Sequence, residues 1–465
     1  MGMEVNSGTP RGAAPRHEAT LFALGLAIPF LILSLVNVYH AEDVRVFVDW
    51  AACWRTDAQR VYSLCPSANY PFVGVAASGG AIAALKQAFS LGDVEEIARY
   101  YRLILAGFDA ANFALLVLIG RALRLRHAGA LALALVIEVL PSTWAGGAVW
   151  GQIDTISQFF LLVSLHGLMR AYQLAGAPQP RRAAHGFFLL GLSALALCAL
   201  TKQLAIFSIV ATAPLILAAL WRFAGSRRGL WLGFGCMALA GGLFLFLDRQ
   251  AEVPGYFGSS FLYVWLGGGS HHGRIIAGNG FNLWVLLGRD MASSSDAPFW
   301  TPTLFGRAFG LTPRIAGFAL YGLAVLALAA PLLRFLRGAF SRAAGEGDAR
   351  FLAGCLLAVA MMNLGFNVFL TGTHERYLYH FYSFALLALA GLAPRAVRAP
   401  LIGLLLASGT LYGLFVLSVI RDLPGVLAVW IRPEPLAGLH ALLLLTLSAL
   451  ILRLGAARGP SGSAY

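Results

Sequence analysis

Lysine is almost absent from this 465-residue chain: Lys86 and Lys202 stand against 32 arginines. Charge of either sign is scarce, at 12% of residues, while hydrophobic residues make up 59%. A chain this poor in charge lacks the polar residues needed to cover a soluble globular surface. No Cys/His spacing matches a zinc site, so no metal centre is expected. The basic residues form no patch that calls for nucleic acid. No internal repeat is evident, which disfavours a transporter built on inverted repeats. A cleavable signal peptide is not expected either, because residues 20–39 are too long for its apolar region and lack a cleavage pattern.

Long apolar runs fill the space these absences leave. About 20 apolar residues are enough to cross a bilayer, and twelve spans are read, near 20–39, 100–120, 128–145, 150–171, 186–202, 203–221, 229–247, 313–334, 351–370, 377–393, 401–419 and 436–453. The expected fold is all-α, a polytopic transmembrane helical bundle with both termini cytoplasmic. The stretch 71–90 is apolar but rich in small residues, and is read as re-entrant or interfacial. If it crossed, Arg121, Arg124 and Arg126 would face outward, against the positive-inside tendency. With twelve spans, the segments placed inside carry 19 Lys+Arg and 4 Asp+Glu, and those outside 15 of each. Residues 1–18 and 455–465 are expected to be cytoplasmic tails around one membrane domain, 19–454. Its long outer loops, about 40–99 and 248–312, are expected to carry interfacial helices. Heavy arginine use with abundant Ala, Gly and Leu suggests a GC-rich bacterial genome, placing the chain in an inner membrane with these loops in the periplasm. Cys53 and Cys65 share the first of them, an oxidising setting, and are a candidate disulfide. Cys198, Cys236 and Cys355 lie in apolar spans, where buried packing is expected.

Polar residues gather at five places, all on the outer side of this topology. In a helix, Asp43, Phe47, Trp50 and Trp54 share one face, so Asp43 is the candidate base. Asp49, on another face nearer Arg45, is an alternative. An interfacial amphipathic helix with an incidental acid is the other reading of this segment. Trp150-Gly151-Gln152-Ile153-Asp154 opens a span; Trp150 offers a stacking surface, Gln152 and Asp154 partners for sugar hydroxyls, and Asp154 a further alternative base. Lys202, beside Gln203 at a hairpin, suits a phosphate contact, although it can also snorkel to the surface. Asn282 and Trp284 lie in the second long loop, after His271 and His272, which are more simply read as solvated. Last comes His374-Glu375-Arg376-Tyr377, between two apolar spans. Charge there costs at least ~2.5 kcal/mol per residue if it meets hydrocarbon, so it is expected to face a cavity. Arg376 offers a planar fork for phosphate, Glu375 a brace, and His374 a donor to an oxyanion. Asp109 and Glu138, within spans, would support the cavity, pair with its cations, or simply pack helices.

Taken in order across residues 40–380, these residues resemble the GT-C superfamily of integral-membrane glycosyltransferases. The pattern is Asp43, Phe47 and Trp50-Ala51, then Asn69-Tyr70-Pro71, Trp150 through Asp154, Lys202-Gln203, Asn282-Leu283-Trp284 and His374 through Tyr377. It is most similar to bacterial relatives of the glycosylphosphatidylinositol mannosyltransferases and of the dolichyl-phosphate-glucose-dependent glucosyltransferases. The resemblance implies an inverting transfer of a hexose, mannose or glucose, from a polyprenyl-phosphate donor to a glycan or lipid acceptor, without cofactor or metal. It implies Asp43 as base and Lys202 and Arg376 on the donor phosphate. Trp50, Trp150, Gln152, Asp154, Gln203, Asn282, Trp284, His374, Glu375 and Tyr377 would line the sugar or acceptor. Two other classes stay open. A lipid or solute transporter should show polar groups reaching both faces, and an O-antigen ligase or polymerase should concentrate them in one large loop.

Overall fold

A computed structural model describes residues 14–176, 181–266, 274–304, 307–341, 346–392, 395–421 and 431–456. The chain is a polytopic transmembrane helical bundle. Among the described residues, ten helices are long and apolar enough to cross a membrane, or eleven if one bent pair counts as a single span. Each of the twelve segments read as spans corresponds to a helix, but three differ from a simple crossing. His127–Val139 and Pro141–Val149 meet at 67°. Pro141 sits in the first turn of the second helix, where its missing N–H costs nothing, and Leu140 before it is extended. Asp154–Ala175 falls outside the ten; its Asp154, Ser157, Gln158 and Arg170 dilute its apolar character. Tyr379–Leu392 has only 14 residues, about 21 Å of helix and short of a hydrocarbon core.

The stretch read as interfacial is an 18-residue apolar helix, Phe72–Phe89, interrupted by a π turn at Ala76–Gly80. Length and composition alone would let it span, yet its contacts keep it at one end of the bundle. At its start, the Phe72 N–H donates to Ser260 Oγ at 3.1 Å and Gly74 abuts the Thr201 carbonyl. At its finish, Phe89 stacks on Tyr100, with ring centroids 5.1 Å apart. Thr201 closes one helix, and Tyr100 lies in the second turn of another, Val94–Ala122. Both ends of Phe72–Phe89 therefore lie at the end of the bundle that carries the long loops.

Local chemistry sets the helix starts. Asp93 caps Val94–Ala122 by accepting from the Glu96 N–H, with Glu95 and Glu96 in the positive first turn. Ser226 caps Arg227–Asp248 in the same way. Glu346–Phe369 is the central helix, its membrane-length window wholly buried. Helices Arg395–Ile420 and Pro433–Ala456 carry no motif, yet they seat the second long loop: Phe281 packs against Tyr412, Phe415 and His440. In the first long loop, the helix Ala41–Thr56 buries Val44, Phe47, Trp50 and Ala51. A disulfide joins Cys53 to Cys65, closing the chain behind that helix.

Candidate active site

All five polar segments meet at one end of the bundle. Asp43 is the meeting point of the first two. Its Oδ2 accepts from Trp150 Nε1 at 2.6 Å and from Gln152 Nε2 at 2.5 Å. Gln152 in turn takes the Tyr70 hydroxyl at 2.7 Å, which brings in Asn69-Tyr70-Pro71. The turn that makes this possible depends on Gly151, at φ +93°, where a Cβ would also press on Val44 Cγ2 at 3.2 Å. With that backbone, Trp150 and Gln152 reach Asp43 from both sides of the glycine.

Lys202 and Asp154 form a second pair, 2.5 Å apart and each only 3–4% exposed in its side chain. The ammonium lies 5.7 Å from the Tyr70 ring and 5.8 Å from the Tyr377 ring, so the fifth segment closes over it. Arg376 lies over Trp150, its Cζ 5.5 Å from the ring, while Nη1 donates to Glu375 at 2.8 Å. Arg376 Nε is buried with no hydrogen-bond partner, which leaves donor capacity on the guanidinium. The segment is held by a short parallel pairing of Ala277-Gly278 with Thr373-His374. Glu375 is buried, and His374 Nδ1 lies 3.8 Å from its carboxylate.

Asp43 and His40 define the electrostatics of the open side. Each is 24% exposed, and His40 Nδ1 lies 3.5 Å from Asp43 Oδ2. Burial alone would raise the Asp43 carboxyl, but the His40 hydrogen bond, the Arg376 charge and Trp150 hold it well below the usual carboxylate range. The bond to Asp43 raises His40 above its ordinary 6.5. When neutral, His40 Nδ1 accepts instead from the Asp43 N–H at 3.4 Å and caps the helix. It can do only one of these at a time. Among the described residues no hydrogen bond ends on Asp43 Oδ1, so one carboxylate oxygen keeps its acceptor capacity.

Several expected residues take other places. Trp50 is fully buried, its Nε1 donating to Ser67 Oγ at 3.2 Å and its ring edge-on to Tyr70; it packs the first loop and presents no sugar surface. Asn282 is also fully buried. Its Nδ2 serves Ile276 O, Leu370 O and Thr373 Oγ1, and its Oδ1 caps the Val285 N–H. Trp284 donates to Phe369 O from within the core. These three build the scaffold beneath the site, because their polar atoms are already satisfied by protein. Asp49 is exposed, and none of the hydrogen bonds and ion pairs that tie the cluster together involves its side chain. Gln203 is half-buried, with Oε1 buried and unpartnered. His271 and His272 lie outside the described residues. Neither Asp109 nor Glu138 forms an ion pair among the described residues; each is buried within its span. No group of three or more His, Cys, Asp and Glu suited to a metal occurs among the described residues.

Sequence reasoning missed His40 and Arg102. A signal for His40 existed: it stands three residues before Asp43, where an N-cap and a helical neighbour coincide. Arg102 carried none, since its bonds run to the backbone oxygens of Ala148 and Val36, both at 3.1 Å.

No family model matches the chain, and no curated protein sequence does. Among solved structures, the chain is similar to ArnT from Cupriavidus metallidurans bound to undecaprenyl phosphate, with TM-score 0.47 and 15% identity over 95% of this chain and 77% of that one. It is also similar to the oligosaccharyltransferase of Archaeoglobus fulgidus tethered to an acceptor peptide, with TM-score 0.41 and 12% identity over 96% of this chain and 56% of that one.

Proposed function

We propose that the chain is a GT-C type inverting glycosyltransferase of a bacterial inner membrane. It moves a hexose from a polyprenyl-phosphate donor to a hydroxyl of a glycan or lipid acceptor on the periplasmic side. The observation that carries this reading is a carboxylate 24% exposed with no hydrogen bond on one oxygen, Asp43, beside an arginine whose Nε has no hydrogen-bond partner, Arg376. A base next to an anion site is what displacement at a phosphate-bearing carbon requires.

In the proposed reaction the acceptor hydroxyl gives its proton to Asp43 Oδ1 as its oxygen bonds to the anomeric carbon. The bond from that carbon to the phosphate oxygen breaks, and its electron pair leaves on the phosphate. Arg376 offsets that charge, with Lys202 behind it. Phosphate is a good leaving group, so the scheme uses neither a general acid nor a metal. Asp43 is a weak base in the free site, held ionised by the His40 hydrogen bond and the Arg376 charge, and an anionic donor beside Arg376 would restore part of its basicity. Trp150 is 1% exposed, with His40 stacked on it at 4.6 Å and Arg376 Cζ 5.5 Å from its ring, so it braces Asp43 and Arg376 and presents no stacking surface to the sugar.

The purified protein in lipid nanodiscs, given polyprenyl-phosphate mannose or glucose carrying a labelled sugar and a periplasmic glycolipid extract, tests this. Label should move to the extract and polyprenyl phosphate should accumulate. If neither donor is consumed while the protein moves a lipid or solute across vesicles, the reading is wrong.

A further inference from the structure

One buried carboxylate has no part in the proposed chemistry, yet the segments that carry Arg376 and Asp154 are both tied to it. Asp109 lies in Val94–Ala122, 1% exposed. An acid at such a position is costly and calls for a specific use. Its Oδ1 takes the Tyr379 hydroxyl at 2.8 Å and also the Thr155 hydroxyl. Tyr379 stands three residues after Arg376, and its N–H donates to the Arg376 carbonyl at 3.2 Å, so it closes the turn that carries the guanidinium. Thr155 follows Asp154 directly and is held from its other side by Asn112, at 3.1 Å and 3.2 Å.

The second oxygen of Asp109 faces Gly147, three residues before Trp150. No hydrogen bond of ordinary geometry ends on it. A Cβ at Gly147 would stand 3.1 Å from Tyr379 Oη and 3.4 Å from Asp109 Oδ2. The same helix grips the other side of that turn, because Arg102, two turns earlier, donates Nε to Ala148 O. The turn that aims Trp150 and Gln152 is thus clamped by one face of one helix.

We propose that Asp109 is a positioning residue, holding Arg376 and Asp154 in register through Tyr379 and Thr155, and the Trp150–Gln152 turn through the packing of Tyr379 and Asp109 against Gly147. This rests on the proposed transfer reaction. It needs an acceptor oxygen at Oδ1 and not a charge, which separates it from the roles of Asp43 and Arg376.

The test uses full-length protein in nanodiscs and three variants, with transfer kinetics, melting temperature and hydrogen exchange. Tyr379→Phe should lower kcat ~10–100-fold, as expected when reacting groups shift by about an ångström. It should leave donor KM within ~3-fold and speed exchange in peptides covering 373–379 and 146–152. Asp109→Asn, which keeps the acceptor oxygen, should stay within ~5-fold of wild type. Asp109→Ala should match Tyr379→Phe, and the double variant should be no slower than Asp109→Ala, because residues acting as a unit are not additive. If Asp109→Ala does not fold, Tyr379→Phe and Asp109→Asn still decide. Wild-type kcat in Tyr379→Phe, or losses that follow melting temperature with exchange unchanged in both peptides, would overturn the proposal. A wild-type protein with no transferase activity would overturn the reaction itself; accelerated exchange in those peptides would still report the clamp.

Discussion

Asp43 and Asp154 belong to one cluster and are solvated in opposite ways. Asp154 is 4% exposed in its side chain and takes Lys202 at 2.5 Å. Asp43 is 24% exposed, is braced on one oxygen by Trp150 and Gln152, and among the described residues has no hydrogen bond on the other. A carboxylate locked into a buried ion pair has little freedom to receive a proton, and removing its partner strands a charge. A carboxylate braced on one side and unbonded on the other can react without losing its place. On the proposed reaction the difference gives architecture to Asp154 and chemistry to Asp43, although the sequence offers both as candidate bases. The Lys202 charge is matched by Asp154 and the Arg376 charge by Glu375, but Arg376 Nε keeps an unused donor, which puts Arg376 first in the proposed phosphate contact.

The largest effect that would break this comparison is on turnover. Asp43→Asn should cut transfer by ~10²–10⁴, the usual worth of a general base, in protein that remains folded. Asp154→Asn should do the reverse first, destabilising the fold by about 3–5 kcal/mol because Lys202 is left buried and unpaired. Denaturant or thermal unfolding in matched detergent would measure it, and Lys202→Met added to Asp154→Leu should recover most of the loss. Opening the Cys53–Cys65 bridge, a loop with a separation of 12 residues, should cost about 3 kcal/mol, read as a lower melting temperature after reduction or in Cys53→Ser/Cys65→Ser. A smaller effect depends on pH. The folded pKa of His40 is raised above 6.5, so its pairing with Asp43 contributes stability that is full below pH 6.5 and lost as pH rises through the folded value. His40→Gln should flatten that part of the melting-temperature profile. Asp43 is lowered from 3.8, so its contribution is full above pH 3.8 and lost only as pH falls through the folded value; transfer should show no acid limb from Asp43 between pH 5 and 9. Asp49→Asn, on an exposed face, should change stability by less than ~0.5 kcal/mol and leave transfer intact.

Much of the helical order was legible in the sequence, because apolar runs of membrane length have few other uses. The five polar segments were legible for the complementary reason: charge beside hydrocarbon needs an explanation. What the residues did not reveal was which polar atoms the protein itself consumes. Trp50, Asn282 and Trp284 read as ligand surfaces, but Ser67, four backbone and hydroxyl partners, and Phe369 use their polar groups. Arg102 and the use made of Asp109 depend on the bend at Leu140 and the Gly147 turn, and neither the 67° angle nor the approach of Tyr379 leaves a periodic trace. The helix Phe72–Phe89 shows the same limit from another side. Composition permits a span, and its contacts with Thr201, Ser260 and Tyr100 place both of its ends at one end of the bundle.

The central claim is that Asp43 takes the acceptor proton in a site that binds its donor through other residues. Single-turnover transfer of labelled sugar from saturating polyprenyl phosphate, by purified Asp43→Asn in nanodiscs, tests it most directly. The account predicts that donor binding, measured on the same sample, stays near wild type while the label remains on the polyprenyl phosphate. Transfer by Asp43→Asn at the wild-type rate, with Asp49→Asn inactive, would contradict it.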